Sequence, residues 1–217
     1  MVGADNSGEL TVLFIDLAGF TALTEAHGDD HAADLAVRFS ELVQEELASS
    51  DRLVKTIGDA VLVLSSDPST GLALAGRILE RIEQEQHFPV PRTAIHHGPI
   101  VERGDDVFGA TVNLAARIAA QAYGGQVLGT DVVAARAREE GVDVVDLGAF
   151  ALKNIASEVA LFEIHIGPRV RGAVVDPICR MRIERDDAVG RLRVDGVDHW
   201  FCSLECAATF LREVGLM

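Results

Sequence analysis

An almost unbroken apolar run, Leu10 to Ile15, ends in a carboxylate at Asp16, and a second carboxylate, Asp59, sits in Gly58-Asp59-Ala60 between two short apolar runs. The first run reads as a buried strand and the second pair as a tight hairpin, because Gly-Asp favours such a turn. Carboxylates converging at one sheet edge suit one or two Mg²⁺ or Mn²⁺ ions, since hard cations take oxygen ligands and keep positions open for phosphate. Taken alone, the two residues equally suit local turn shaping. Asn113 and Arg117 stand four apart on a predicted helix and so share a face, where the arginine can donate to an anionic group. His96 and His97 are neighbours in a predicted strand and point to opposite faces, which favours packing or surface roles over a shared metal.

All three cysteines, Cys179, Cys202 and Cys206, lie after residue 178. They are too few and too clustered for a secreted disulfide framework, and grouped thiols of this kind suggest a metal site for Zn²⁺ or Cu⁺. Cys202 and Cys206 converge if a helix begins near Ser203, with Cys179 as a third thiolate and His199 as a fourth ligand. The alternative is that they are small buried residues packed with Trp200, Phe201 and Phe210.

The elements that must position these groups can be read in order. After the first strand, apolar residues at helical spacing over Asp29 to Ala48 mark an amphipathic helix. The hairpin of Leu53–Ile57 and Val61–Leu64 follows, then a helix near Gly71 to Glu85 and a strand near Arg92 to His97. An extended piece around Val107, a helix from Thr111 to Tyr123, and strands near Gln126–Leu128 and Leu161–Ile166 with a helix between them complete the body. The pattern is α+β: a ferredoxin-like βαββαβ antiparallel sheet with helices on one face. If the first strand pairs antiparallel with the second hairpin strand, Asp16 and Asp59 become neighbours.

The breaker-rich stretch Gly167 to Ala173 reads as a linker, dividing a main domain (1–168) from a small cysteine-containing module (174–217). At 217 residues with 48% hydrophobic content, the chain can fill one core and add an appendage. The net charge of −15 lies in the body, which has 11 Lys and Arg against 26 Asp and Glu, while the tail has 8 of each. So acidic a body repels phosphate backbones and anionic lipid, which argues against nucleic acid and membrane as partners and makes cations necessary for a phosphate-bearing substrate. The short acidic N-terminus is unlike a secretion signal, and a cytoplasmic location is expected.

Two segments, Phe14-Ile-Asp-Leu-Ala-Gly-Phe-Thr21 and Val54-Lys-Thr-Ile-Gly-Asp-Ala60, resemble the metal-site motifs of class III adenylyl and guanylyl cyclases. Asp106-Val-Phe-Gly-Ala-Thr-Val-Asn-Leu-Ala-Ala-Arg-Ile118 is similar to the third signature of that family, and Leu152-Lys-Asn154 to its late phosphate-contacting segment, with Asn154 where glycine is common. The tail, Asp176-Pro-Ile-Cys-Arg-Met181 and His199-Trp-Phe-Cys-Ser-Leu-Glu-Cys206, resembles a YHS or TRASH-type metal-binding module, with Arg180 where a glycine often follows the first cysteine.

The cyclase resemblance implies that Asp16 and Asp59 hold two metals, that ATP is cyclised to cyclic AMP with loss of pyrophosphate, and that Asn113, Arg117 and Lys153 serve ribose and phosphates. Lys55 and Asp106 match the purine-reading positions; a donor-only and an acceptor-only group together suit the N1 and N6 edge of adenine. In the family the metal carboxylates and the base-reading groups of one site come from different subunits, so a homodimer with two composite sites is implied. Two other readings stand beside this: a catalytically silent dimerising platform for a metal sensor, and a guanylate cyclase. Silent copies commonly lose a metal Asp or the Asn/Arg pair, and this chain keeps them all.

Overall fold

A computed structural model describes residues 8–167 and 173–216; the core of the expected linker, 168–172, lies outside the described residues. β1 (Glu9–Leu17) runs through the middle of a seven-stranded sheet. Its near-continuous apolar sequence follows from that position. Leu13, Ile15 and Leu17 face one core while Val12 faces another, so neither side of the strand meets water.

Two helices follow, α1 (Phe20–His27) and α2 (Asp29–Glu45). The sequence reading anticipated only the second, because eight residues give too few turns for a clear apolar period. β2 (Asp51–Ile57) and β3 (Ala60–Ser65) form the expected hairpin around Gly58-Asp59, with Gly58 at a φ of 62°. α3 (Pro68–Glu83) starts on a capping box, in which Asp67 accepts from the backbone of Ser69 and Thr70 and Pro68 occupies the first turn. β4 (Pro91–Pro99) returns beside β1.

These elements give the sheet order β2-β3-β1-β4, the split βαβ arrangement expected from the sequence. A short hairpin, β5 (Val101–Arg103) and β6 (Asp106–Phe108), leads into α4 (Ala110–Ala119). β7 (Val127–Gly129), α5 (Asp131–Glu139), β8 (Val144–Phe150) and β9 (Val159–Ile164) extend the sheet as β4-β7-β9-β8.

Three expectations need correction. The sheet is not antiparallel throughout, since β4 and β7 run parallel, joined by the crossover that contains α4. Helices cover both faces: α2, α3 and α5 enclose the larger core, and α4 packs on β1 and β4 from the other side. β8 was missed because most of it is exposed at the sheet edge, which leaves no strong apolar pattern.

The tail comprises β10 (Ala173–Val175), β11 (Arg182–Glu184), β12 (Gly190–Val194), β13 (Val197–Phe201) and α6 (Leu204–Glu213). Its core is shared with the body. Leu23 and Ala32 of α1 and α2 are buried together with Ile178, Met181, Ile183, Phe201 and Phe210 of the tail. Main-chain bonds reinforce the contact, from Val90 N–H to Arg180 O at 3.0 Å and from Arg182 N–H to Phe88 O at 3.0 Å. The Arg182 guanidinium also donates to the carbonyls of Ile82, Glu83 and Glu85 at and just beyond the end of α3, where the helix dipole favours a cation.

Leu13 is fully buried where β1 meets the helices. Leu13→Ala removes its packing and leaves a cavity, and should cost about 2–5 kcal/mol in urea unfolding, whereas Val37→Ala on an exposed helix face should stay within about 0.5 kcal/mol.

Candidate active site

The β1–β3 register pairs Asp16 with Ala60, so the end of β1 meets the hairpin tip, and Leu17 N–H donates to Asp59 O at 3.2 Å. Asp16 is only 8% exposed and Asp59 is half-buried. The Asp59 carboxyl is pushed from 3.8 up to about 6, first by burial and then by the Asp16 charge, with Arg92 pulling it back down. Arg92 stands opposite Asp16 on β4 and donates to its carboxylate through Nε at 2.6 Å and through a second guanidinium nitrogen. Arg92 was missed in the sequence. Its signal was an arginine at the start of a strand, but assigning it requires the β1–β4 register.

This arrangement fits divalent cations. Two carboxylates sharing a partly desolvated corner repel one another, and a hard cation relieves the repulsion with oxygen ligands.

Lys55 on β2 and Asp106 on β6 form a two-pronged ion pair, with Nζ 2.7 Å from each carboxylate oxygen. Asp106 also accepts from Val107 N–H at 2.8 Å, and Lys55 holds its carboxyl below the usual range. Lys55 lies 5.8 Å from the centre of the half-exposed Phe108 ring. Asn113 and Arg117 are exposed on one face of α4, and Arg117 has no hydrogen-bond or ion-pair partner among the described residues. Lys153 is exposed in the loop between β8 and β9, followed by Asn154 at a φ of 65°. That left-handed backbone is the one glycine takes most easily and asparagine tolerates best, which accounts for the replacement. Among the described residues, no hydrogen bond or ion pair joins the Asp16/Asp59 corner to Lys55, Asp106, Asn113, Arg117 or Lys153.

The two neighbouring histidines separate as expected: His96 bonds Thr130 at 2.9 Å, and His97 bonds Thr11 at 3.0 Å. The tail sulfurs converge, with Cys202 Sγ 3.3 Å from Cys179 Sγ and 3.8 Å from Cys206 Sγ. The expected fourth ligand does not join them. His199 lies against Phe210, their ring centres 4.5 Å apart, because β13 turns it toward that ring; His27 of α1 comes within 3.4 Å of Cys202 Sγ instead. Nothing in the local sequence of α1 signals this, since it depends on how the tail docks. Arg180 has a φ of 59°, again the left-handed backbone that glycine takes most easily.

The family model for the adenylate and guanylate cyclase catalytic domain matches residues 2–165. The chain belongs to the adenylate and guanylate cyclase catalytic-domain family. The match to this cyclase family stops before the cysteine-bearing elements. The chain is 32% identical over 173 residues to a pH-sensitive adenylate cyclase of Mycobacterium tuberculosis, covering 76% of this chain and 43% of that protein. It is 38% identical over 108 residues to an adenylate cyclase of Streptomyces griseus, covering 49% of this chain and 27% of the other. The chain therefore spans less than half the length of these curated relatives. Its fold is similar to the adenylate/guanylate cyclase/hydrolase structure from Silicibacter pomeroyi, with a TM-score of 0.67 and 26% identity over 76% of this chain and all of that one. The adenylyl cyclase CyaB of P. aeruginosa is similar in fold, with a TM-score of 0.63 and 21% identity, covering 78% of this chain and 100% of that one.

The crowded carboxylates have a consequence for stability without metal. The folded value of about 6 for Asp59 lies above 3.8, so its favourable contribution is complete at low pH and is lost as pH rises through about 6. With divalent cations omitted, Asp59→Asn should therefore melt at a higher temperature than the wild type at pH 7.5, and the gap should close toward pH 4 in scanning calorimetry.

Proposed function

We propose that the chain is an adenylate cyclase, converting ATP to 3′,5′-cyclic AMP and pyrophosphate in composite sites between two copies. The observation that carries this reading is the Asp16/Asp59 pair, two mutually repelling carboxylates held by register at a sheet edge. Mg²⁺ or Mn²⁺ held by Asp16 and Asp59 would supply activation of the ribose 3′-hydroxyl and neutralisation of the triphosphate.

The chain's own groups do the positioning. Lys55 donates to adenine N1 and Asp106 accepts from the N6 amino group; their existing ion pair places donor and acceptor side by side for that edge. Guanine offers the opposite pattern there, so GTP would leave both groups badly paired. Among the described residues Arg117 has no hydrogen-bond or ion-pair partner and can donate to a phosphate, while Asn113, one turn away, orients the ribose. Arg92 puts a cation at the phosphate end of the site beside Asp16. Lys153 adds another at the exposed loop.

The lack of bonds between these groups supports a homodimer. The carboxylate corner makes no bonded contact with the base-reading pair or with α4 among the described residues, and Ile57, Val101 and Phe108 near the base-reading pair are 47%, 40% and 50% exposed. A second copy placed on that surface covers the apolar groups and completes the site. The tail, which resembles a metal-binding module, would make the output responsive to a soft metal. Among the described residues no helix is long and apolar enough to cross a membrane.

Purified chain incubated with Mn²⁺ or Mg²⁺ should form cyclic AMP from ATP and little cyclic GMP from GTP. Asp16→Ala should lose at least about 100-fold in rate, since even residues that only orient metal ligands cost 10–100-fold. Lys55→Ala should narrow the preference for ATP over GTP. Folded, dimeric wild-type protein that makes no cyclic nucleotide under any of these conditions would favour the silent-platform reading.

A further inference from the structure

His27 Nε2 and the sulfurs of Cys179, Cys202 and Cys206 all lie within 4.8 Å of one another. These residues come from four separate places: the end of α1, the turn after β10, the residue after β13, and the first turns of α6. A tetrahedral Zn²⁺ with Zn–S of about 2.3 Å and Zn–N of about 2.0–2.1 Å needs ligand-to-ligand spacings of about 3.5–3.8 Å. Around Cys202 Sγ the separations are 3.3, 3.4 and 3.8 Å to Cys179, His27 and Cys206, close to that requirement in a protein whose sulfurs need move only slightly.

The backbone that carries the ligands is held independently of any metal. Asp176 is fully buried; its Oδ1 accepts from Ile178 N–H at 2.8 Å and Cys179 N–H at 3.3 Å, and its Oδ2 accepts from Cys202 N–H at 2.9 Å. One buried carboxylate therefore ties together the two loops that present the first two thiols. Ser203 caps α6 and accepts from Cys206 N–H at 3.1 Å, which sets the third. Cysteines serving only as core filler would not need four heteroatoms facing one point, nor an imidazole brought in from another part of the chain.

We propose that His27, Cys179, Cys202 and Cys206 form a single Zn²⁺ site that bridges the tail and the cyclase body, and that its occupancy fixes α1 relative to the strand end carrying Asp16. Three thiolates and one imidazole in a closed tetrahedral set match structural zinc. The link to the candidate active site is short. α1 begins directly after Gly19, three residues beyond Asp16, and ends at His27. The tail grips both ends of this helix. A Cβ on Gly19 would lie 2.7 Å from Cγ of Arg180 and 2.9 Å from Ile178 O, so only glycine permits the tail turn to lie this close, and the metal holds the opposite end.

The coupling to activity rests on the cyclase reading; the metal site does not. Full-length protein purified without chelator should contain about one zinc per chain by elemental analysis. His27→Ala and Cys202→Ser should each lose most of it, while His31→Ala, on the neighbouring helix, should retain it. Co²⁺-loaded wild type should show the thiolate charge-transfer and intense visible bands of a tetrahedral site, shifted in His27→Ala. Zinc content in His27→Ala equal to wild type would remove His27 from the site. Wild type without zinc, with three freely reacting thiols or a Cys179–Cys202 disulfide, would overturn the site altogether.

For the coupling, removing zinc from wild type with a zinc-selective chelator should speed amide exchange across residues 20–27 and change the rate of cyclic AMP formation at saturating Mg²⁺ by at least about threefold. Unchanged exchange in α1 would overturn the coupling even in a protein with no measurable cyclase activity.

Discussion

The antiparallel register of β1 on β3 is the constraint from which the rest of the site follows. Pairing Asp16 with Ala60 brings two carboxylates together at the edge of the sheet, where burial and mutual repulsion raise the Asp59 carboxyl to about 6. A slip of one residue would turn every side chain of β1 to the opposite face and exchange its two cores, so the buried sets on either side of β1 lock the register. The fold thus holds an unfavourable charge pair in place with apolar packing from both sides. A local cost of this kind, sustained by the surrounding structure, is characteristic of a site waiting for a ligand.

The second organising feature is α1. It is short, follows the strand end that carries Asp16, and is shared between the body and the tail, whose core contains Leu23 from α1 beside Phe201 and Phe210. The tail is accordingly not a free appendage. It adds main-chain bonds to the segment before β4, caps α3 through Arg182, and presses Arg180 against Gly19. Fewer than fifty residues with two small hairpins and one helix have little core of their own, and the body supplies what is lacking.

Much of this was legible in the sequence, and the limits were physical. The apolar run ending at Asp16, the hairpin at Asp59 and the four-residue spacing of Asn113 and Arg117 are local patterns, and each was readable without tertiary information. The parallel β4–β7 pair and the helix on the second face depend on crossover geometry, which periodicity does not encode. Arg92 and His27 are single residues whose partners lie 76 and 175 positions away, so only the folded chain reveals them. His199 shows the reverse: its proximity in sequence to Cys202 suggested ligation, while strand alternation turns it onto Phe210. Asn154 and Arg180 both take the left-handed backbone that glycine adopts most easily, a conformation that neither local sequence announces.

In the proposed function the Asp16/Asp59 corner is half of a site, completed by Arg117 and its neighbours from a second copy. Mixing two inactive variants, Asp16→Ala and Arg117→Ala, tests this directly. Equal, freely exchanging amounts should recover about a quarter of wild-type cyclic AMP formation, because half the dimers are mixed and each mixed dimer has one intact site of two. Mixed dimers, demonstrated by differential tagging, that remain as inactive as either parent would contradict it.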